Sequence, residues 1–316
     1  MRGPAMLGVE GFALTASDSA RLADPRVGGA ILFARNFESS SQLRALTESI
    51  RALRPELVIG VDHEGGRVQR FRTDEFTALP AMRTLGARFD ADPAAADDEA
   101  FAHGATIACE LRAHGVDFSF APVVDLDYGA SAVIGDRAFH ADPVIVADLA
   151  GALVRGLASG GVAAVAKHFP GHGYIAVDSH VDTPVDLRSL DEILRADVLP
   201  FAALIGQGIA AIMPAHVVYP AVDSRPAGFS RVWIDDILRR KLRFDGLVFS
   251  DDLEMAGAHR AGDIVARADA ALAAGCDVAL VCNDFAAMDE LLQRWQPSPS
   301  SDLARRWAPM AGRHPR

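Results

Sequence analysis

Two runs in the middle of the chain carry residue types suited to acid–base chemistry: KHFPGHG at positions 167–173, and DSH at 178–180. Lys167 and His168 follow the apolar run VAAVA, so they should lie at the end of a buried strand. Asp178 and His180 are two residues apart, so they can share one side of an extended loop. The carboxylate could then stabilise the charged imidazole, which would give and take a proton near neutral pH. The alternative is an ordinary polar surface loop, but the nearby KHFPGHG run favours a catalytic one.

A second candidate is GLVFSDDL at positions 246–253, where a buried strand runs directly into two carboxylates. Side chains alternate along a strand, so Asp251 and Asp252 should point in different directions. We predict that Asp251 faces the substrate as a nucleophile, because adjacent carboxylates at a strand end are costly without a task. For Asp252 we prefer the role of N-cap of the following turn.

Two further segments, VDHEGGRVQR at 61–70 and IGDRAF at 134–139, combine carboxylates, arginines and glycines. Asp62 ends a strand, and a carboxylate that accepts hydroxyl protons beside arginine donors is suited to gripping a sugar. Arg70 is expected to touch the ligand. The alternative is that Arg67 and Arg70 only pair with Glu64 on a helix face. Arg137 follows a turn that glycine permits, and its alternative is a solvated loop arginine.

Eight short apolar runs alternate with stretches of helical period, which is typical of a parallel sheet built from βα units. The sequence therefore predicts a single-domain α/β fold, a (β/α)8 TIM-type barrel that is irregular around the first βα unit. Only 13 residues, 15–27, join the first two strands. The predicted strands are 6–13, 30–33, 57–61, 118–122, 163–166, 211–213, 247–249 and 278–281. The predicted helices are 42–53, 99–114, 144–159, 190–205, 234–242 and 264–274, with Ser230 as an N-cap and Gly275 as a C-terminal stop.

The active site of a TIM barrel lies at the carboxyl ends of its strands. A polar or charged residue stands near the end of each predicted strand, and together these residues predict one polar pocket. They are Glu10, Arg35, Asp62, Asp125, Lys167, His168, His216, Asp251 and Asn283. We assign residues 1–295 to the catalytic barrel and residues 296–316 to a C-terminal tail or short helix.

Composition narrows the possible partners. The formal net charge is −11, with 31 Lys and Arg against 42 Asp and Glu, and no basic stripe is visible, so nucleic acid is not expected. Three cysteines without CxxC spacing suggest neither a disulfide framework nor a zinc site. The N-terminus lacks a continuous apolar signal region, and no apolar run is long enough to span a membrane. We therefore expect a cytoplasmic monomer that needs no metal or other cofactor and has no membrane partner.

Together, the four segments resemble family 3 glycoside hydrolases, specifically the single-domain bacterial β-N-acetylhexosaminidases of cell-wall recycling. By that resemblance Asp251 is the nucleophile, and His180 is the general acid/base with Asp178 assisting. The positions that match sugar-binding residues of the family are Asp62, Arg70, Arg137, Lys167 and His168. Two residues depart from the family pattern, His63 where glutamine is usual and Glu254 where a smaller residue is usual, and either could alter the shape of the pocket.

The resemblance implies a retaining enzyme that releases terminal β-linked N-acetylglucosamine through a covalent glycosyl-enzyme. The expected substrate is a small sugar or a muropeptide such as GlcNAc-1,6-anhydro-MurNAc. The alternatives are a β-glucosidase or an N-acetylglucosamine phosphorylase of the same family, and a barrel that binds sugar without cutting it. A metal-dependent barrel hydrolase is a further alternative, although neither an HxH pair at a strand end nor an HExxH helix is present.

Overall fold

Eight short, buried strands close into a parallel barrel in the computed structural model, which describes residues 2–175, 184–298 and 300–312. Most of their residues are apolar on both faces, as a parallel sheet covered by helices requires, and polar residues stand toward their carboxyl ends. Each strand pairs with the next, and the last pairs with the first, which confirms the predicted (β/α)8 barrel. In barrel order the strands are β1 (Ala5–Gly8), β2 (Val27–Leu32), β3 (Val58–Val61), β6 (Phe118–Ser119), β7 (Ala163–Phe169), β8 (Ala211–Pro214), β11 (Leu247–Asp252) and β12 (Val278–Val281).

Helices and two small hairpins fill the connections between these strands. The α-helices are α1 (Ala16–Ala23), α2 (Ser40–Leu53), α3 (Met82–Ala91), α4 (Pro93–Ala113), α5 (Pro143–Ser159), α6 (Leu190–Arg195), α7 (Val198–Gly206), α8 (Ile264–Ala274), α9 (Phe285–Arg294) and α10 (Leu303–Trp307), with a π-helix at Val232–Lys241. One hairpin pairs β4 (His63–Gly65) with β5 (Val68–Gln69), and the other pairs β9 (Val218–Tyr219) with β10 (Asp223–Pro226).

The first βα unit holds a two-turn helix in its short connection. Thr15 and Asp18 form a capping box at the start of α1, which lets so short a helix begin cleanly. The register of β1 against β2 shifts between Ala5 and Met6, which is the irregularity of this unit.

The helix predicted over residues 190–205 is instead two helices, α6 and α7. Proline lacks a backbone N–H, so Pro200 fits only the first turn of a helix, and α7 begins just before it. At the end of α8, Gly275 adopts the left-handed conformation, which confirms it as the C-terminal stop. Ser230 Oγ accepts a hydrogen bond from Trp233 N at the start of the π-helix, although the helix itself begins two residues later.

The barrel interior is filled mainly by large apolar side chains, including Phe118, Phe120 and Phe249, whose rings pack at 4.9–5.6 Å. Trp307 of α10 extends this cluster, with its ring 5.6 Å from that of Phe249. Its Nε1–H donates to the carbonyl of Gly3, just before β1. The C-terminal helix therefore covers the end of the barrel at which the strands begin.

Asp277, immediately before β12, is a buried charge centre at that same end. Its side chain is 1% exposed and accepts hydrogen bonds from Arg239 and Arg306, both at 2.7 Å, and from Val248 N at 2.9 Å. Arg239 lies on the π-helix and Arg306 on α10. This carboxylate therefore ties the two helices and β11 together.

We expect Asp277→Ala to lower the free energy of unfolding by about 3–5 kcal/mol, because two arginines and a backbone N–H would lose their buried acceptor. Urea unfolding followed by circular dichroism measures the change. Asp236→Ala is the matched control, since it breaks an exposed ion pair with Arg240 and should cost less than about 1 kcal/mol. Equal effects of the two substitutions would show that Asp277 does not hold the helices in place.

Candidate active site

A cavity of about 490 Å³ opens at the carboxyl ends of the strands, within the size range of small-molecule sites. Its walls mix charged side chains with apolar ones. The charged and polar lining residues are Asp62, Arg67, Arg70, Arg137, Lys167, His168, His172, Asp251, Asp252 and Asn283, and the apolar ones include Ile31, Phe33, Phe120, Met213, Met255 and Leu280. Residues more than 180 positions apart in the chain thus share one pocket.

Asp62 directly follows β3 and is held by two cations. Lys167 Nζ lies 2.6 Å from its Oδ1, and Arg70 Nη2 lies 3.3 Å from its Oδ2. Burial would raise the pKa of Asp62, but Lys167 and Arg70 outweigh it and hold that pKa well below the ordinary value. Asp62 is therefore a carboxylate at neutral pH, able to accept hydroxyl protons from a ligand.

Glu64 is the second carboxylate of this cluster, and it stands on β4 rather than on a helix. The possibility that it pairs with Arg67 and Arg70 on a helix face is wrong. Its Oε1 lies 2.7 Å from Lys167 Nζ, and Arg137 donates to both of its oxygens at 2.8 and 2.9 Å. Burial opposes ionisation of Glu64, but Arg137 and Lys167 lower its pKa, so it stays charged.

Arg137 is no solvated loop residue. Its side chain is 11% exposed and lines the cavity from a short 3₁₀ turn, Gly135–Arg137. Gly135 takes the left-handed conformation at φ 46°, as the predicted turn requires. Arg67, by contrast, stays half exposed at the rim, where its Nε donates to Asp136 at 3.2 Å and its Nη2 to Val133 O.

His168, at the end of β7, is oriented by a carboxylate behind it. Its Nδ1–H donates to Asp125 Oδ2 at 2.7 Å, and Asp125 Oδ1 also accepts the backbone N–H of His172 at 2.7 Å. Burial would raise the pKa of Asp125, but His168 lowers it. The ring of His168 therefore has a fixed orientation, with Nε2 left to face the cavity.

Asp251 lies near the end of β11, part-exposed on the cavity wall. Its Oδ1 accepts the backbone N–H of Asp252 at 2.8 Å. The Nε2–H of His216 donates to the carbonyl of Asp252 at 3.1 Å, which braces the strand end from behind. Burial lowers the pKa of His216, and the nearby charge of Asp251 only partly offsets this, so the imidazole is neutral.

Several other polar residues predicted at strand ends form contacts within the protein and do not line the cavity. Glu10 forms an ion pair with Arg21 at 2.7 Å. Arg35 stacks on the ring of Phe33 at 4.6 Å and donates to Asn283 Oδ1 at 2.6 Å. Of the nine predicted residues, Asp62, Lys167, His168, Asp251 and Asn283 line the cavity, whereas Glu10, Arg35, Asp125 and His216 do not.

Neither departure from the family pattern lines the cavity. His63 is fully buried between Phe71 and Phe76, with ring centroids 5.8 and 5.7 Å away, and burial lowers its pKa to about 3. Glu254 accepts the backbone N–H groups of Asn283 and Asp284 at 2.7–3.0 Å. Neither side chain therefore forms part of the cavity wall, and an effect of either on the shape of the pocket stays a prediction.

Gly171 begins the loop after β7 at φ 145°, a conformation that L side chains rarely adopt. A Cβ there would meet the side chain of Asp197 at 2.6 Å, so glycine is required. Asp178 and His180 belong to the stretch 176–183, which lies outside the described residues. Their predicted roles therefore stay predictions.

Within the described ranges, no three His, Cys, Asp or Glu side chains come together as a group that could hold a metal ion. His168 and His172, both candidates for such a group, face each other with ring centroids 6.0 Å apart, and Asp125 accepts hydrogen bonds from both residues. The arrangement offers a part-exposed carboxylate, Asp251, on the wall of a cavity that a second carboxylate and several cations also line.

An eight-stranded α/β barrel with this cavity at its carboxyl end has the architecture and site position of the TIM-barrel enzymes. The chain belongs to glycosyl hydrolase family 3, whose N-terminal domain matches residues 5–296. It is 59% identical to a β-hexosaminidase of Aromatoleum aromaticum over 93% of this chain and 83% of that protein. A β-hexosaminidase of Bordetella avium is 60% identical over 97% and 88%.

Solved structures agree with the fold. Native NagZ from Neisseria gonorrhoeae superposes with a TM-score of 0.94 at 51% identity, covering 98% of this chain and 90% of that one. A family 3 β-N-acetylglucosaminidase from a Paenibacillus species gives 0.87 at 33% identity, covering 92% and 55%. In the part of the chain that the structure describes, no helix is long and apolar enough to cross a membrane.

Asp252 gives the site a testable dependence on pH. Burial and the negative charges of Glu254 and Asp251 raise the pKa of Asp252 to about 8. Between the ordinary value for aspartate and pH 8, the folded state therefore holds a proton that the unfolded state releases, and the free energy of unfolding falls as pH rises. We expect Asp252→Asn, which mimics the protonated acid, to remove this fall.

Urea unfolding at pH 4.5 and pH 8.5 measures the effect of Asp252→Asn. The variant should match the wild type at the lower pH and be more stable at the higher one. Asp284→Asn is the control, because Asp284 caps α9 without entering the cavity. A variant that is less stable than the wild type at pH 8.5 would contradict a protonated Asp252.

Proposed function

We propose that this enzyme is a retaining exo-β-N-acetylglucosaminidase that releases terminal, non-reducing β-linked N-acetylglucosamine. The observation that carries the proposal is the placement of Asp251 on the wall of a cavity that also presents Asp62, Arg70 and Lys167. The relatives support the choice of sugar. Two of them at 59–60% identity are β-hexosaminidases, and the similar NagZ from Neisseria gonorrhoeae was solved with N-trifluoroacetyl-D-glucosamine.

In the proposed mechanism, Asp251 attacks the anomeric carbon and forms a covalent glycosyl-enzyme, while protonated His180 gives its proton to the departing oxygen. Neutral His180 then takes a proton from water, which attacks the same carbon and releases the sugar with Asp251 restored. Asp178 orients the imidazole of His180 and stabilises its protonated form. Two groups thus divide the work as in other retaining glycosidases, with a histidine in place of the second carboxylic acid.

The sugar-binding roles follow from the contacts in the cavity. Asp62 is ionised and accepts hydrogen bonds from ring hydroxyls, while Arg70, Arg137 and Lys167 donate to the sugar's oxygens. His168, held by Asp125, presents its second ring nitrogen to another hydroxyl. These contacts are worth most to catalysis where they tighten in the transition state.

The natural substrate in this proposal is a muropeptide, GlcNAc-1,6-anhydro-MurNAc with or without peptide, released during cell-wall recycling. The enzyme would work in the cytoplasm, in keeping with its three free cysteines, and as a monomer. It would use no metal or other cofactor and no nucleic-acid or membrane partner.

Hydrolysis of p-nitrophenyl N-acetyl-β-glucosaminide beside p-nitrophenyl β-glucoside, with EDTA present, tests the proposal. We expect cleavage of the first substrate only, and Asp251→Asn should lower kcat by about 10³-fold or more because an amide cannot form the covalent glycosyl-enzyme as a carboxylate does. A fluorinated N-acetylglucosaminyl substrate should add one sugar mass to the wild type but not to this variant. Asp236→Asn, exposed and remote, is the control.

Four other results would redirect the assignment. Cleavage of the glucoside would change the substrate, loss of activity with EDTA would favour a metal-dependent hydrolase, and absence of any sugar adduct would favour a binding protein. Faster turnover in the presence of phosphate would indicate a phosphorylase.

The acid role of His180 predicts a dependence on the leaving group. His180→Ala should lower the rate by about 10²–10⁴-fold on GlcNAc-1,6-anhydro-MurNAc, whose departing alkoxide needs a proton. The loss on p-nitrophenyl N-acetyl-β-glucosaminide should be much smaller, because a nitrophenolate leaves without one. The ratio of kcat/KM on the two substrates is the measurement, with His140→Ala as the control. Equal losses on both substrates would contradict the role.

A further inference from the structure

Glu64 is a buried carboxylate that touches the sugar site only through its cations. Its side chain is 2% exposed and it does not line the cavity, yet both of its cationic partners do. Oε1 forms an ion pair with Lys167 Nζ at 2.7 Å and accepts a hydrogen bond from Arg137 Nη2 at 2.8 Å, and Oε2 accepts one from Arg137 Nε at 2.9 Å. Within the described residues, each cation that contacts this carboxylate is therefore one proposed to hold the sugar.

These bonds decide which donors remain for a ligand. Arg137 donates its Nε–H and one N–H of Nη2 to Glu64, and its Nη1 lies 3.3 Å from Val133 O. This bidentate grip fixes the plane of the guanidinium and hence the direction of its remaining N–H groups. Lys167 Nζ donates to Asp62 at 2.6 Å and forms an ion pair with Glu64 at 2.7 Å, so the two carboxylates together fix the position of the ammonium group.

Glu64 also protects the acceptor role of Asp62. Arg137 is attracted electrostatically to both carboxylates, but it is hydrogen-bonded to Glu64. Without Glu64, Asp62 would be the anion that attracts Arg137 most strongly. Asp62 already contacts Lys167 and Arg70, so a third cation would leave its oxygens fewer lone pairs to accept sugar hydroxyl protons.

The backbone holds Glu64 firmly enough for this task. His103 Nε2 lies 2.8 Å from the carbonyl of Glu64, and Ser119 Oγ accepts the N–H of the preceding residue at 3.2 Å. Gly65 follows at φ 124°, where a Cβ would meet Pro80 O at 2.5 Å, so the β4–β5 turn has one conformation. These backbone contacts thus fix the position from which the Glu64 carboxylate reaches its cations.

We propose that Glu64 is a positioning residue of the sugar site, whose buried carboxylate aims Arg137 and Lys167 at the substrate and keeps Arg137 from binding Asp62. This inference rests on the proposed function, because its readout is turnover of an N-acetylglucosaminide. Glu64→Gln keeps the shape but loses the negative charge. It should lower kcat/KM about 10- to 100-fold, mostly through KM, as misplaced binding groups do.

A double-mutant cycle on p-nitrophenyl N-acetyl-β-glucosaminide tests the coupling. We compare Glu64→Gln, Arg137→Ala and the double variant. If Glu64 acts through Arg137, its substitution should cost far less in the Arg137→Ala background than in the wild type. Arg137→Lys, which keeps the charge but loses the fork, should reproduce the Glu64→Gln phenotype, and Glu64→Asp should recover part of the activity.

Asp277→Asn is the matched control, because Asp277 is also a buried carboxylate shared by two cations, but at the opposite end of the barrel. It should lower stability and leave KM unchanged. Wild-type enzyme without activity on this substrate would refute the proposed function. Active wild type with an unchanged KM in Glu64→Gln, or with additive losses in the cycle, would refute the positioning role. Should Glu64→Gln fail to fold, the Arg137→Lys and Glu64→Asp comparisons decide.

Discussion

Two carboxylates buried within reach of one lysine form the constraint around which this active site is built. Asp62 and Glu64 lie 2.6 and 2.7 Å from Lys167 Nζ, and neither could stay ionised there without cations. Lys167 alone cannot offset both charges, and Arg70 and Arg137 supply the rest. The cluster therefore needs residues from the end of β3, β4, the loop after β6, and β7, and the direct pairing of β3, β6 and β7 brings those elements together.

The barrel in turn holds the side chains of this site in fixed positions. Most of the strands contribute side chains at or just beyond their carboxyl ends, and the packed interior beneath fixes where those ends lie. Phe118, Phe120 and Phe249 form the layer below the cavity, and Trp307 closes the cluster at the far end. The charged groups at the mouth are thus held on rigid strands, while polar loops surround them.

The eightfold alternation of apolar runs and helical stretches could be predicted from the sequence because burial on both faces demands it. The predicted sugar-binding residues, Asp62, Arg70, Arg137, Lys167 and His168, all reach the same cavity. Glu64 could not be placed, because its segment was compatible with a helix face as well as a strand. The period of two that sets Glu64 on the same side as Asp62 is a signal only once the segment is known to be extended. The pairing of β4 with β5 therefore determines the position of Glu64, which the local sequence pattern does not.

The break in the helix over residues 190–205 has a similar origin. Its apolar positions continue at helical spacing, so the sequence pattern favours one helix. Asp197, at the junction, instead binds Arg188 at 2.7 Å and the hydroxyl of Tyr128 at 3.0 Å. Arg188 stacks on the ring of Tyr174, 4.1 Å away, in the loop that leaves the active site. Pro200 thus prevents one continuous helix, and the ionic contact of Asp197 with Arg188 holds the junction between α6 and α7.

Asp251 and Asp252 show how one strand end can give adjacent carboxylates different tasks. Asp251 stands part-exposed on the cavity and receives the backbone N–H of its neighbour. Asp252 lies between Glu254 and the buried thiol of Cys282, where burial and negative charge raise its pKa to about 8. A protonated Asp252 adds no negative charge beside the proposed nucleophile. The same separation of neighbouring carboxyl groups by environment lets one fold assign distinct roles to like residues.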